Sequence, residues 1–209
     1  MSEFLLTVII PVYNQERLVI KALDSIPERD DVEILVIDDG STDNTWNSLM
    51  SYRANDNRNI VYLYNIKNQG VSYTLNKGLM FATGKYVVIL GSDDYFYTKE
   101  FEEVLPELEN DYDLIFFDMK INDGSIIKST PEHQPHGSVK FMKRDFIGDI
   151  RNREDKLAGE DYYFYKELLA KNPKVKYTNK AIKHYNYPRE GSLSDLVLQG
   201  KIEGVEKWN

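Results

Sequence analysis

Four runs of apolar residues in the first 95 positions constrain the fold most, because none of them alternates regularly between apolar and polar side chains. The runs cover residues 5–12, 33–37, 60–64 and 86–90. A strand without alternation is buried on both faces, which is typical of a parallel sheet covered by helices. The stretches between the runs carry apolar side chains at helical spacing. Strand and helix therefore alternate, which predicts βαβ units with right-handed crossovers.

The predicted fold class is α/β, with a Rossmann-like, mostly parallel central sheet flanked by helices and a less regular C-terminal third. In that last third, residues 124–137 have the pattern of a hairpin and loop, 162–170 that of an aromatic helix, and 175–177 that of a short strand. No internal repeat and no linker divides the chain. We therefore expect a single domain over residues 1–209.

Composition narrows the chemistry that the chain can perform. It has no cysteine, which excludes disulfide scaffolds, zinc–thiolate sites and cysteine nucleophiles. Its 34 acidic and 26 basic side chains give a net charge of −8, which argues against a general nucleic-acid binder. The longest near-apolar run, residues 4–12, is far too short to cross a bilayer, and no leader peptide is recognisable at the N-terminus. These features predict a cytoplasmic protein.

Polar segments follow three of the predicted strands, at residues 11–14, 38–41 and 92–94. In an open parallel sheet, ligands bind at the carboxyl ends of the strands. The second and third segments each contain two adjacent aspartates, whose mutual repulsion is costly unless a cation or N–H donors compensate it. One such pair alone is ordinary turn chemistry. Two pairs at one edge predict a site for a nucleoside diphosphate and a hard divalent cation.

Five sequence blocks then identify a family resemblance, whereas the glycine-rich dinucleotide motif and the P-loop are both absent. The blocks are TVIIPVYN (7–14), VIDDGSTD (36–43), NQGVS (68–72), ATGKY (82–86) and SDD (92–94). In this order and spacing they resemble family-two glycosyltransferases of the GT-A fold. The resemblance implies an inverting enzyme that uses a nucleotide-diphospho-sugar, usually a UDP-sugar, together with Mn²⁺ or Mg²⁺.

The resemblance also assigns roles along the chain. It implies that residues 1–95 bind the nucleotide-sugar and that 96–209 supply the acceptor site and the catalytic base. It further implies that Asp39 binds the edge of the base, that Asp93 lies beside the ribose, and that Asp94 holds the metal. The other nucleotide-binding residues that it implies are Pro11, Tyr13, Asn14, Asp38, Gly70 and Asn76.

The second half resembles the family in two blocks, GEDYYF (159–164) and HYNYPREGS (184–192). The first implies that Asp161 is the general base, which removes the proton of the acceptor hydroxyl during inversion. An acidic residue at a helix N-terminus also has a purely structural explanation. The second block implies that Arg189 binds the diphosphate. It leaves His184 either as a second metal ligand or as a residue that ends a strand.

The chain departs from the family pattern at two positions. The family often has an arginine where this chain has Leu75 and an aspartate where it has Gly91.

Two alternative functions were compared with this one. A sugar nucleotidyltransferase is the first alternative, but it should have a glycine-rich basic loop at residues 13–17. A catalytically silent nucleotide-sugar-binding module is the second, and its mark would be missing acids. The acids in question are all present: Asp39, Asp93, Asp94 and Asp161.

The expected partners are a nucleotide-sugar donor and a glycan or lipid-linked saccharide acceptor, in the synthesis of a bacterial surface polysaccharide or cell wall. We expect residues 122–155 to contribute to acceptor choice. The tail at 193–208 has the pattern of a short amphipathic helix. It is compatible with peripheral contact at the inner face of the cell membrane, with docking on its own domain, and with a homodimer.

Overall fold

The computed structural model describes residues 4–133, 137, 139–155 and 159–201. Its strands are β1 (Leu6–Val12), β2 (Val32–Asp38), β3 (Asn59–Tyr64), β4 (Tyr86–Ile89), β5 (Tyr95–Phe96), β6 (Leu114–Lys120), β7 (Ile126–Ile127), β8 (Val139–Lys143) and β9 (Val175–His184). Its helices are α1 (Leu18–Asp24), α2 (Thr45–Arg53), α3 (Val71–Phe81), α4 (Thr98–Val104), α5 (Arg144–Ile147), α6 (Glu160–Ala170) and α7 (Leu193–Leu198). A 3₁₀ helix, Leu105–Asn110, follows α4.

The described strands form one sheet in the order β3-β2-β1-β4-β8-β6-β9-β5, and β7 pairs with β6. Strands β3, β2, β1 and β4 are mutually parallel, and β6 is parallel to β9. Strand β8 is antiparallel to both β4 and β6, and it therefore links two groups of strands that point the same way. Six strands thus end at one edge of the sheet.

Both faces of the sheet are covered, which explains why the first strands lack alternation. Helices α1, α2 and α4 contribute to the hydrophobic core on one face, and α3 and α6 to the core on the other. In β1, Val8 and Ile10 belong to the first core, whereas Ile9 belongs to the second. All three side chains are fully buried. An alternating strand would have left one of these cores without its central residues.

The predicted fold class is confirmed, and the C-terminal third contains the differences. The predicted strands and helices of the first half coincide with β1–β4 and α1–α3, with small differences at their ends. Strand β8 was not expected, because its two lysines interrupt the apolar pattern that marks a buried strand. Strand β9 extends from Val175 to His184, well beyond the predicted residues 175–177.

The predicted amphipathic tail is described only in part. Helix α7 spans Leu193–Leu198, and residues 202–209 lie outside the described residues. Within the described part of the chain, every helix is too short or too polar to span a bilayer. The expected roles of the tail stay predictions.

Candidate active site

The shared direction of six strands brings most of the predicted site residues to one edge of the sheet. Asp38 is the last residue of β2, and Asp93 and Asp94 follow β4. Lys183 lies near the end of β9, which points the same way although β8 and β6 separate it from β4. Ligands of open α/β sheets bind at this kind of edge. The first and the last parts of the described chain therefore meet at the candidate site.

Asp39 is held in place by three N–H donors. Its Oδ1 accepts hydrogen bonds from Nδ2 of Asn65 at 2.8 Å and from the backbone N of Gln69 at 2.9 Å. Its Oδ2 accepts one from the backbone N of Gly70 at 2.9 Å, where a φ of +90° favours glycine. Asp38 beside it is also buried and accepts a hydrogen bond from a backbone N–H of its own loop at 2.8 Å. The Asp39 carboxylate, only 4% exposed, therefore has a fixed orientation.

The loop after β1 is fastened to the loop after β2. Oδ1 of Asn14 accepts a hydrogen bond from the backbone N of Thr42 at 2.8 Å, and the backbone N of Asn14 donates to Oγ of Ser41 at 2.9 Å. Asn14 has a φ of +51°, in the left-handed region that asparagine tolerates. Tyr13 beside it is 42% exposed, and Pro11 lies within β1. Their contacts with a nucleotide stay predictions.

The second pair of aspartates is matched by two cations from the C-terminal segment. Nζ of Lys183 donates to Oδ2 of Asp94 at 2.9 Å, and the backbone N of Asn186 donates to Oδ1 at 2.9 Å. Nε of Arg189 donates to Oδ2 of Asp93 at 2.8 Å. Asp94 and Lys183 are almost completely buried, whereas the side chains of Asp93 and Arg189 are 23% and 27% exposed. Each of these acids therefore has its own cation, one pair buried and one partly exposed.

The surroundings of Asp94 do not fit a resident divalent cation. Its Oδ2 is paired with the ammonium of Lys183 and its Oδ1 accepts a backbone hydrogen bond, so a divalent ion bound to Asp94 would lie beside a buried cation. No group of three His, Asp or Glu side chains that could hold a metal occurs among the described residues, so a Mg²⁺ ion at Asp94 would need waters and the phosphates of a donor as further ligands. A Cβ at Gly91, the position where the family often has an aspartate, would lie 2.9 Å from Oδ2 of Asp94, so a side chain there would displace the Asp94 carboxylate from its present position. Burial raises the pKa of the Asp94 carboxyl, and the ammonium of Lys183 opposes this rise.

His184 points away from this ion pair. Successive side chains of a strand project to opposite faces, so His184 and Lys183 leave β9 on opposite sides. The imidazole stacks on Tyr95 with ring centroids 4.4 Å apart, its Nδ1 lies 3.3 Å from the hydroxyl of Tyr97, and its Nε2 lies 3.0 Å from Oδ1 of Asn122. Burial lowers its pKa. The structure does not bring this ring to the buried carboxylate, so the predicted metal contact has no support from the geometry.

Asn76, predicted in the nucleotide pocket, binds the loop that precedes α6 in the chain. Its Nδ2 donates to the backbone O of Asn152 at 3.0 Å and to Oε1 of Glu154 at 2.9 Å. Its Oδ1 accepts a hydrogen bond from the backbone N of Asn152 at 2.7 Å. The observed contacts of Asn76 therefore join α3 to the second half of the chain, and its contact with a nucleotide stays a prediction.

The candidate base Asp161 lies in the first turn of α6, where the helix dipole favours a negative charge. Its Oδ1 accepts a hydrogen bond from the backbone N of Tyr162 at 2.8 Å. Lys140 of β8 is completely buried, and its Nζ lies over the ring of Tyr165. Burial lowers the pKa of Lys140 well below its usual value, and the negative charge of Asp161 opposes this shift. A buried lysine thus interacts electrostatically with the carboxylate proposed as the base.

Three residues of this region were not predicted from the sequence: Lys183, Lys140 and Asn65. A lysine is normally a surface residue, so nothing in the sequence indicates that the first two are buried. Asn65 directly follows β3. The rule that identified the aspartates, a polar residue immediately after a strand, would have identified it too.

A family comparison decides what kind of protein carries this site. The family model described as Glycosyl transferase family 2 matches residues 7–175, which is most of the chain. The chain belongs to glycosyltransferase family 2. The family predicted from the sequence is therefore confirmed, and with it the enzyme class of a glycosyltransferase.

Several curated proteins are similar to this glycosyltransferase chain. An uncharacterised glycosyltransferase of Mycoplasma pneumoniae is 29% identical over 91% of this chain and 71% of its own length. The minor teichoic acid biosynthesis protein GgaB of Bacillus subtilis is 27% identical over 89% of this chain and 23% of its own length. A GalNAc(5)-diNAcBac-PP-undecaprenol beta-1,3-glucosyltransferase of Campylobacter jejuni is 28% identical over 90% of this chain and 61% of its own length. The chain spans only part of these relatives.

Solved structures of two transferases share the fold. S. aureus TarS in complex with UDP-GlcNAc matches with a TM-score of 0.77 at 23% identity, over 90% of this chain and 59% of the other. The mannosyltransferase PcManGT from Pyrobaculum calidifontis, in complex with GDP-Man and Mn²⁺, matches with a TM-score of 0.76 at 18% identity, over 95% of this chain and 61% of the other. At these identities the likeness supports the GT-A fold alone.

Proposed function

We propose that this family-two glycosyltransferase transfers a sugar from a UDP-sugar to a hydroxyl group of a glycan or lipid-linked saccharide, with inversion at the anomeric carbon. The observation that carries the proposal is the fixed carboxylate of Asp39 at the carboxyl-end edge of the sheet. Its three N–H donors hold both oxygens in one orientation. A preorganised acceptor of this kind suits the donor groups on the edge of a base, and it needs no reorganisation when the nucleotide binds.

The neighbouring acids and cations support a diphosphate donor. Arg189 pairs with Asp93 at the partly exposed side of the site, where a guanidinium can exchange a carboxylate for phosphate oxygens of similar geometry. The carboxylate of Asp93 is then available to the ribose hydroxyls. In this proposal, binding of the donor breaks the ion pair between Arg189 and Asp93. Arg189 then contacts the diphosphate, and Asp93 contacts the ribose.

The transfer itself is a single displacement. The acceptor oxygen forms a bond to the anomeric carbon while the bond from that carbon to the diphosphate oxygen breaks, and the electron pair leaves with the diphosphate. Asp161 takes the proton of the attacking hydroxyl, as the family resemblance implies. Arg189 offers positive charge to the leaving diphosphate. The Mn²⁺ or Mg²⁺ expected from the resemblance stays a prediction, and the PcManGT structure holds Mn²⁺.

The acceptor is proposed by analogy with the relatives. One relative is named for minor teichoic acid biosynthesis and another for glucosyl transfer to a saccharide linked to PP-undecaprenol. We therefore place this chain in the synthesis of a cell-wall polymer or surface polysaccharide, on the cytoplasmic side of the membrane. The proposal also includes a homodimer and a peripheral contact with the inner face of the membrane.

The donor proposal is tested by thermal unfolding with UDP, GDP, CDP and dTDP, each with EDTA and with Mn²⁺. A nucleotide present at about one hundred times its Kd should stabilise the protein by about 2.7 kcal/mol. We expect this effect from UDP, and we expect Asp39→Asn to weaken it. Asp24→Asn, the same change at the C-terminal end of α1, is the matched control and should respond like the wild type. If none of the nucleotides stabilises the protein, the donor proposal is wrong.

The base is tested separately by the release of UDP from UDP-GlcNAc and other UDP-sugars in the presence of water alone. We expect Asp161→Asn to slow this release by about 100-fold or more, because a positioned base contributes about that much. The variant should keep its stabilisation by UDP. Glu167→Gln, an exposed carboxylate on the same helix, is the control. A wild type that binds UDP but releases none from any UDP-sugar would favour the catalytically silent module.

A further inference from the structure

The ion pair between Lys183 and Asp94 occupies the place where the family resemblance predicts a metal. Nζ of Lys183 lies 2.9 Å from Oδ2 of Asp94, and the side chains of Lys183 and Asp94 are 3% and 5% exposed. The ammonium also donates to the backbone O of Gly137 and lies 5.1 Å from the ring centroid of Tyr185. Lys183 is fixed by its position in β9, between β6 and β5. Lys183 is therefore a buried residue with a fixed position in the site, and not a surface side chain that happens to lie nearby.

We infer that Lys183 is the resident cation of the donor site, so that a nucleoside diphosphate binds there without a divalent metal. The inference rests on the proposed function, because it concerns the binding of the same donor. It goes further by naming the group that supplies the positive charge. Lys183 thus replaces the divalent cation that the resemblance predicts at Asp94.

The distribution of charge supports this assignment. Asp39 is satisfied by N–H donors, and Asp93 and Asp94 each have one cation. A divalent ion placed on Asp94 would lie beside a buried ammonium, and two cations in a medium of low dielectric constant repel each other strongly. Moving Lys183 away would remove its hydrogen bonds and leave it unpaired in the interior. The carboxylates of Asp93 and Asp94 are therefore neutralised without a metal.

The same arrangement explains how the ammonium acts on a diphosphate. A diphosphate that approaches nearer to the ammonium of Lys183 than to the Asp94 carboxylate is attracted by the pair, because these buried charges are poorly screened by water. An ammonium is a compact point charge that attracts phosphate without a fixed geometry. In this inference the buried ammonium of Lys183 and the partly exposed guanidinium of Arg189 both attract the negative diphosphate.

The test is the affinity for UDP and for uridine, measured by isothermal titration calorimetry in EDTA and in Mn²⁺. For the wild type we expect UDP affinities that differ by less than about threefold between the two conditions. Uridine, which lacks the phosphates, serves as the control ligand. Lys180→Met is the control variant, because Lys180 lies on the same strand but pairs with exposed Glu103 at 3.3 Å.

Two variants separate the lysine from the metal. Asp94→Asn removes the predicted metal ligand and frees the charge of Lys183, so its UDP affinity in EDTA should equal or exceed that of the wild type. The double variant Asp94→Asn/Lys183→Met has no charge at this position, and it is chosen because Lys183→Met alone leaves a buried unpaired carboxylate. Relative to Asp94→Asn, it should lose about tenfold or more in UDP affinity and keep its uridine affinity.

The inference is wrong if Mn²⁺ raises the UDP affinity of the wild type by about threefold or more, or if Asp94→Asn and the double variant bind UDP equally. Binding of UDP only in the presence of Mn²⁺ overturns this inference and leaves the proposed function intact. If neither UDP nor uridine binds under any condition, the donor proposal itself fails together with the inference. Circular dichroism of each variant verifies that it is folded.

Discussion

The two halves of the chain contribute opposite charges to the same edge of the sheet. In the first half, consecutive strand–helix units end in the loops that carry the aspartates, and those loops hold Asp39 with their own N–H groups. In the second half, one segment at the end of β9 supplies Lys183 and Arg189. The first half therefore supplies the loops and the negative charges of the site, and the second half supplies the positive charges.

The two halves also show two ways in which a buried acid is stabilised. Asp39 depends on neighbours within about 30 residues along the chain, which fold with it. Asp94 depends on Lys183, which is 89 residues away and reaches it only when β6, β8 and β9 are in place. Removing a partner should therefore cost far more at Asp94 than at Asp39. The three predictions below test this comparison on the free energy of unfolding.

Lys183→Met should produce the largest loss of stability. Removing one partner of a buried ion pair leaves an uncompensated charge, which typically costs about 3–5 kcal/mol. The side chains of both partners are at most 5% exposed, so water gives little relief. Urea unfolding at neutral pH measures the effect.

The double variant Asp94→Asn/Lys183→Met is the companion measurement. It should recover much of the lost stability, because neither charge is then buried. Lys180→Met on the same strand should cost less than about 1 kcal/mol, since its ion pair is exposed. A single variant as stable as the wild type, or no more stable when the aspartate is also changed, would contradict the view that the second half compensates the first.

Asp39→Ala should have an intermediate effect, about 2 kcal/mol, because several N–H donors lose a charged acceptor near the surface of the pocket. Asp38→Ala is the matched variant: Asp38 is equally buried, but its carboxylate accepts one hydrogen bond, from a backbone N–H at 2.8 Å, so its loss should cost about half as much. Chemical denaturation of both variants under one condition compares them. An equal loss of stability in the two variants would mean that water satisfies the N–H donors around Asp39 as well as it satisfies the donor at Asp38.

The fold of the first half could be predicted because local patterns and global topology agree there. Runs such as residues 5–12 are apolar on both faces, which indicates a parallel sheet, and each is followed by a helical pattern. The second half breaks this agreement at β8, where Lys140 is buried beneath α6 against an aromatic ring. A lysine in a strand normally indicates a solvent-facing position, and only the tertiary structure reverses that expectation.

The acids of the candidate site could be predicted from topology, whereas their cations could not. A residue that directly follows a parallel strand is brought to the ligand edge, which located Asp39, Asp93 and Asp94. Lys183 lies inside a strand that the sequence pattern ended at residue 177. Its pairing with Asp94 depends on β9 being parallel to β4 with β8 and β6 between them, a relation that no local pattern encodes.

Arg189→Met should have the smallest effect, below about 1 kcal/mol, because a partly exposed ion pair gains little over its hydrated partners. Its side chain and that of Asp93 are 27% and 23% exposed, and Nε lies 2.8 Å from the carboxylate. The difference from the wild type should shrink further in about 0.5 M NaCl, where exposed charges are screened, while the loss caused by Lys183→Met should persist. Urea unfolding of both variants at two salt concentrations measures this contrast. Equal salt dependence would mean that water reaches both pairs alike, and the distinction between a buried structural cation and an exchangeable one would then be lost.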